Sequence, residues 1–115
     1  MVFIGGGLGS ICRYGIARWL QSYEGNFPLA TFLANALSCI VLGALVAYHL
    51  KHDMGTSIRL LLLTGFCGGF STFSTFSYET FSLLQNGDYA TALANIFFSL
   101  VVCLACVFLG MKLVA

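Results

Sequence analysis

The chain has 115 residues, of which 59% are hydrophobic and only 8% carry a charge. A soluble domain is about 45–50% apolar and about 25% charged, so this composition excludes an ordinary soluble fold. The formal net charge of +1 provides no basic face for a nucleic acid. We therefore predict an all-α integral membrane protein that forms a single four-helix domain over residues 1–115 in the lipid bilayer. Its spans are expected at about residues 2–20, 28–49, 57–84 and 89–112.

The first predicted span carries a run of small residues from Gly5 to Ser10. Small residues let membrane helices approach closely, so this face is predicted to pack against another helix. Arg13 follows in the same span, where an arginine at the helix centre costs about 2.5–3.5 kcal/mol. Two interpretations of Arg13 remain open. It faces a water-filled vestibule or a partner, or its long side chain reaches the membrane interface.

The second predicted span starts at Pro28, because proline suits the first turn of a helix. Asn35 lies well inside this span. A carboxamide at membrane depth needs a polar partner, which is provided either by an interhelical hydrogen bond or by a lined ion pathway. Ser38 lies one turn further along the same span, which favours the pathway.

The third predicted span contains the most unusual stretch of the chain, from Thr64 to Glu79. Glycines weaken a helix by roughly 1 kcal/mol each relative to alanine, and we predict that the helix breaks at the Gly68-Gly69 pair. Five hydroxyl side chains then alternate with phenylalanines. Backbone that leaves helical geometry at membrane depth is tolerated only where protein or a water-filled path covers it. The stretch therefore predicts a functional centre, and most simply an ion site.

A helix that is broken at mid-membrane presents carbonyl groups that can coordinate a cation and N–H groups that attract an anion. Phe73 and Phe76 lie three residues apart on one face of the second half, and aromatic rings present electropositive edges. Packing of the two rings at a helix interface is the alternative interpretation. Because four packed helices fill their own centre with side chains, ion passage requires at least a dimer.

The fourth predicted span carries a polar stripe, since Asn95, Ser99 and Cys103 recur at i, i+4 and i+8. Cys103 and Cys106 have the C-x-x-C spacing of redox and zinc sites. A thiolate there would be stranded in hydrocarbon without a cation, so we expect neither role. All five cysteines of the chain are predicted to be free thiols.

These motifs resemble those of a known family of membrane proteins. The stretch from Gly65 to Glu79 is similar to the central signature of the CrcB/Fluc fluoride ion channel family. The stretches from Gly5 to Tyr14 and from Pro28 to Asn35 are similar to the motifs of its first two spans. The resemblance covers the whole chain in the expected order, and it implies a fluoride-selective channel and no enzymatic activity.

The resemblance also implies an assembly and a set of site residues. It implies an antiparallel, dual-topology homodimer with two pores that exports fluoride from the cytoplasm, in a cell membrane that we expect to be a bacterial inner membrane. It implies a structural sodium ion (Na+) at the dimer centre, bound by the backbone carbonyls of Gly68 and Ser71, and no organic cofactor. The ion-pathway residues that it implies are Phe73, Phe76, Asn35, Arg13, Thr75, Asn95 and Ser99.

Two other functions compete with the channel. A small four-helix proton-coupled drug exporter needs a titratable carboxylate inside its first span, whereas Glu24 follows that span and Glu79 is expected at the end of the third. A non-transporting membrane subunit would explain each packing feature singly. It does not explain why a glycine break, a hydroxyl run and polar stripes occur together, so the channel is the function that we expect.

Overall fold

The computed structural model describes residues 1–23, 25 and 27–114, so Glu24 lies outside the described residues. Helices are the only regular secondary structure in these ranges, as predicted for an all-α membrane protein. Helix α1 comprises Val2–Trp19, α2 comprises Leu29–His52, α3 comprises residues 56–70, α4 comprises Phe73–Gln85 and α5 comprises Tyr89–Val114.

Three helical segments are long and apolar enough to cross a membrane, which makes the chain a multi-pass membrane protein. They are Leu29–His52, Thr56–Gln85 and Tyr89–Val114, with mean hydropathies of 2.2, 1.3 and 2.6. The second of them consists of α3 and α4 together. Helix α1 is not among the three, because its glycines and two arginines make it less apolar. That α1 also crosses the membrane stays a prediction, and so does the single four-helix domain.

Helix α3 departs from regular α-helical geometry over most of its length. Its α-helical start at Thr56–Arg59 passes into a π-helix over Leu60–Cys67, and α-helical geometry returns at Gly68–Phe70. π-Helical turns are rare and are found mostly at functional positions. The sequence did not predict this π-helix, because its leucine-rich stretch is equally compatible with an α-helix.

The break in the third span lies after the glycine pair, so the prediction that it lies at Gly68-Gly69 is wrong. Both glycines are helical, and the backbone becomes extended at Ser71 (φ −89°, ψ 157°) and Thr72 (φ −150°, ψ 123°). Thr72 caps α4, since its Oγ1 accepts a hydrogen bond from the N–H of Thr75 at 3.3 Å. The cap fixes the position of the break, because a threonine with extended backbone is favoured immediately before a helix.

Glycines bring α1 into backbone contact with α3. A Cβ atom at Gly5 would meet the carbonyl oxygen of Leu61, and one at Gly9 would meet that of Phe66. The small-residue face of the first helix therefore packs against another helix, as predicted. Gly7, in the same run, has open space around the position of its absent side chain.

The same kind of contact joins α2 to α5. A Cβ atom at Gly43 would meet the carbonyl oxygen of Val107, and one at Gly110 would meet that of Ile40. Further towards the C-terminal ends of both helices, the Lys51 ammonium group donates to the carbonyl oxygen of Val114 at 3.1 Å. The two helices therefore run in the same direction, as expected for the second and fourth helices of an up-and-down arrangement.

Candidate ion site

The helix break is held by one side chain from a neighbouring helix. The N–H of Thr72 donates to Oδ1 of Asn35 at 2.8 Å, and Nδ2 of Asn35 donates to the carbonyl oxygen of Thr72 at 3.3 Å. Both backbone groups of Thr72 are thereby paired. Asn35 makes the interhelical hydrogen bond that its depth requires, and it also lines a cavity beside the break.

This cavity, called the groove below, lies between α2, α4 and α5 and has a volume of about 290 Å³. Its walls are mostly apolar, with a few polar groups beside the break. It is lined by Asn35, Cys39, Ser71, Thr72, Phe73, Phe76, Ser99, Leu100, Cys103, Leu104 and Val107. The structure thus brings together Asn35, Phe73, Phe76 and Ser99 from the predicted pathway.

Phe73 and Phe76 lie where α4 begins. Their ring centroids are 5.7 Å apart, with the ring planes inclined at 38°. Phe73 is 79% exposed, so its ring is not buried by packing within this chain. The first turn of a helix also has N–H groups without intrahelical partners, and it carries the positive end of the helix dipole. Ring edges and N–H groups, both electropositive, therefore lie together beside the groove.

A second cavity, called the cleft below, has a volume of about 380 Å³ and lies on the α1 side of the break. It is lined by Ser10, Arg13, Tyr14, Ala17, Ala30, Thr31, Thr75 and Glu79. Nε of Arg13 donates to the carbonyl oxygen of Gly69 at 3.2 Å, so Arg13 lies against the backbone near the break. Of the two interpretations of Arg13, this position agrees with a vestibule.

The predicted pathway residues are therefore divided between two cavities. Thr75 lines the cleft together with Arg13, whereas Phe73 and Phe76 line the groove. The hydroxyl of Thr72, at the groove, donates to the hydroxyl of Thr75 at 3.3 Å. This hydroxyl pair is one contact between the linings of the two cavities.

Asn95 lies in neither cavity. It is 1% exposed, and its Nδ2 donates to the hydroxyl oxygen of Thr80 at 2.9 Å. Its Oδ1 accepts from the hydroxyl of Ser99 at 3.2 Å. Thr80 in turn donates to the carbonyl oxygen of Phe76 at 2.8 Å. The polar stripe of α5 thus has two uses, because Ser99 lines the groove while Asn95 joins α5 to α4.

Glu79 is a polar residue of the cleft whose position the sequence did not predict. Its Oε1 is buried and has no hydrogen-bond partner among the described residues. Glu79 was expected at the end of the third span, not in a cavity beside the helix break. Its spacing of four residues from Thr75, on one helix face, was the signal that could have placed it in the same cavity.

The backbone around the break has oxygen atoms that suit a hard cation. The N–H of Thr72, which in a continuous helix would donate to the Gly68 carbonyl, donates to Asn35 instead. Gly68 is exposed and has no atom within 4 Å of its absent Cβ, and Ser71 lines the groove. Neutral carbonyl oxygens are ligands that hard cations accept. The backbone carbonyl oxygens of Gly68 and Ser71 are therefore suitable ligands for a sodium ion. Two oxygens from one chain are too few to enclose it.

Comparison with known proteins identifies one family. The family model described as CrcB-like protein, Camphor Resistance (CrcB), matches residues 1–111. The Fluoride-specific ion channel FluC of Pyrococcus furiosus is 48% identical to this chain, over 98% of this chain and 92% of that protein. The protein of the same name from Thermus thermophilus is 42% identical over 98% and 90%, and that from Geobacter metallireducens is 41% identical over 91% and 86%.

Proposed function

Because the chain belongs to the CrcB-like protein family, we propose that it is a fluoride-selective ion channel of the cell membrane and not an enzyme. The relatives described above are named fluoride-specific ion channels, and the similarity extends over nearly the whole chain. The structural observation that carries the proposal is the pairing of Asn35 with Thr72. This pairing stabilises the extended backbone of the third span at the point where the start of α4, with Phe73 and Phe76, lines the groove.

The groove has the donors that a small, strongly hydrated anion needs when it loses water. Electropositive groups beside it include the Phe73 and Phe76 rings and the first-turn N–H groups of α4. No lysine or arginine lines the groove. An anion is therefore attracted without being held by a fixed positive charge, and weak binding of this kind is what conduction requires. A narrow path of this sort would favour fluoride over the larger chloride.

We propose that the channel is an antiparallel homodimer of dual topology with two pores. This is supported by polar surface on the third span, where Thr64, Gly68, Ser74 and Ser77 are exposed in the single chain. Hydroxyls and irregular backbone at membrane depth need cover from protein or water. A second copy related by a two-fold axis would cover this surface. Each chain would then contribute one groove, which gives two pores.

The sodium ion is proposed to lie between the two copies. The carbonyl oxygens of Gly68 and Ser71 would be its ligands from each chain, so that four oxygens surround it. A cation held by neutral carbonyl groups at the axis would also cancel the negative ends of the two α3 dipoles. This ion would be structural, since it would be held between the two copies beside the break.

Fluoride is proposed to leave the cytoplasm down its electrochemical gradient. In a channel the direction of flow follows the electrochemical gradient alone. A membrane potential that is negative inside favours anion exit by about 2.3 kcal/mol per 100 mV. The cleft, with Arg13 at its edge, would serve as the vestibule from which fluoride reaches the hydroxyl pair of Thr72 and Thr75.

A growth experiment tests this function in cells. Expression of the chain in a bacterial strain that lacks its own fluoride exporter should restore growth in medium containing fluoride. The Asn35→Ala variant should restore it less well, and Leu37→Ala, at a 38% exposed position on the same helix, should restore it fully. Failure of the wild-type chain to restore growth, when its insertion into the membrane is verified, would contradict the proposal.

A further inference from the structure

The groove contains two thiols for which the proposed channel has no use. Cys39 on α2 and Cys103 on α5 both line it, and both are free thiols. Cys39 lies four residues after Asn35, and Cys103 lies four residues after Ser99. Because residues four apart share a helix face, the thiol pair lies one turn beyond Asn35 and Ser99, which also line the groove.

We propose that Cys39 and Cys103 form a binding site for a soft divalent metal ion that takes two thiolate ligands, with Hg²⁺ as the representative ion. We further propose that the bound ion closes the groove to fluoride. The first statement depends only on the thiol pair, whereas the second rests on the proposed function.

The chemistry of the site is balanced in charge and protons. Each thiol loses its proton to water as its sulfur bonds to the metal, so two thiols and one Hg²⁺ give a neutral complex and two released protons. A lone thiolate at this depth would be strongly disfavoured, since a charge in an apolar environment is costly. The two negative charges are cancelled by the metal, so the complex avoids this cost. Thiolate ligands also select soft metals over hard ones.

The number of ligands distinguishes this site from a zinc site. Structural zinc takes four ligands in a tetrahedron. Among the residues that the structure describes, no group of three or more His, Cys, Asp and Glu side chains could hold a metal ion. Cys106 is on the same helix as Cys103 but does not line the groove. The site therefore suits an ion that is satisfied by two sulfurs, and Zn²⁺ should not be retained.

Metal retention tests the site without any measurement of transport. The background is the Cys12→Ser variant, because Cys12 is exposed and would bind Hg²⁺ through one sulfur. The purified protein is treated with Hg²⁺, passed over a monothiol resin that removes singly bound metal, and weighed by native mass spectrometry. We expect one Hg²⁺ per chain in this background and in the added Cys106→Ser variant. We expect none with added Cys39→Ser or Cys103→Ser, and no Zn²⁺ in any variant.

Retention that is unchanged by both Cys39→Ser and Cys103→Ser would overturn the site. Fluoride efflux from liposomes then tests the closure. Hg²⁺ should abolish efflux through the Cys12→Ser protein, a dithiol should restore it, and added Cys39→Ser should make efflux insensitive. Retention of the metal with undiminished efflux would overturn the closure. Absence of efflux before metal is added would contradict the proposed function and with it the closure, and the retention experiment would still decide the site.

Discussion

Asn35 and Thr72 form a two-way hydrogen bond across the helix break, in which one carboxamide pairs both backbone groups of the other residue. A backbone group left without a partner in hydrocarbon costs several kcal/mol, so a break at membrane depth persists only where such partners exist. Asn35 therefore has two functions. It stabilises the extended backbone at Thr72, and it is part of the groove wall.

The first prediction concerns this pair. Asn35→Ala leaves the N–H and carbonyl of Thr72 without protein partners, and an unsatisfied buried group costs about 1–3 kcal/mol. We expect the free energy of unfolding in detergent to fall by an amount in this range, and fluoride efflux to slow. Leu37→Ala is the control on the same helix and should change neither quantity. Unchanged stability and efflux in Asn35→Ala would show that water replaces the carboxamide without cost.

The second prediction concerns the two phenylalanines at the start of α4. Phe73→Ile and Phe76→Ile keep most of the apolar volume and remove the electropositive ring edge. We expect fluoride efflux from liposomes to fall at least tenfold in each variant, with the elution volume of the folded protein unchanged. Phe97→Ile, at a 61% exposed position that does not line the groove, should leave efflux unchanged. Efflux equal to wild type in both groove variants would remove these rings from the pathway.

The helix break in the third span was predicted from the sequence in part. The sequence predicted that the third span is interrupted, because glycines and hydroxyl residues at membrane depth are unusual. It did not predict the residue at which the helix ends, since the low helix propensity of the glycine pair is outweighed by the packing of Gly69 against α1 and by the threonine cap at Thr72. Propensity is a local quantity, whereas the contact of Gly69 with α1 is between parts of the chain that are distant in sequence.

The same limit explains the polar stripe of α5. Asn95 and Ser99 are spaced one turn apart, so one role in the ion pathway was expected for both residues. In the structure Asn95 bonds to Thr80 inside the protein, whereas Ser99 reaches the groove. Spacing fixes the face of a helix on which a residue lies, but the neighbouring helix decides what that residue meets. The π-helix of α3 was not predicted either, because its leucine-rich stretch is equally compatible with an α-helix.

The third prediction concerns the close contact between α1 and α3. Gly9→Ala places a methyl group against the carbonyl oxygen of Phe66, so the helices must separate. Overpacking of this kind costs about 1–3 kcal/mol. We expect the temperature of thermal unfolding to fall in Gly9→Ala. In Gly15→Ala, on the same helix but with open space at the added methyl, it should stay the same or rise. Equal unfolding temperatures for the two variants would contradict this account of α1 packing.

The fourth prediction concerns the proposed sodium ion. A ligand that binds only the folded state raises stability, so the dimer should unfold at a higher temperature in sodium than in an equal concentration of N-methylglucamine. The large organic cation supplies the same ionic strength but does not fit between carbonyl oxygens. Increasing sodium at constant ionic strength should raise the unfolding temperature until it saturates. Identical unfolding in the two cations would argue against a buried sodium site at Gly68 and Ser71.

The central claim is that this chain conducts fluoride selectively, and the most direct test is ion efflux from liposomes that contain the purified protein. Fluoride release is followed with a fluoride-selective electrode, and chloride release is measured on a matched preparation. The account predicts rapid release of fluoride with negligible release of chloride. A folded dimer that releases no fluoride, or that releases chloride equally fast, would contradict it.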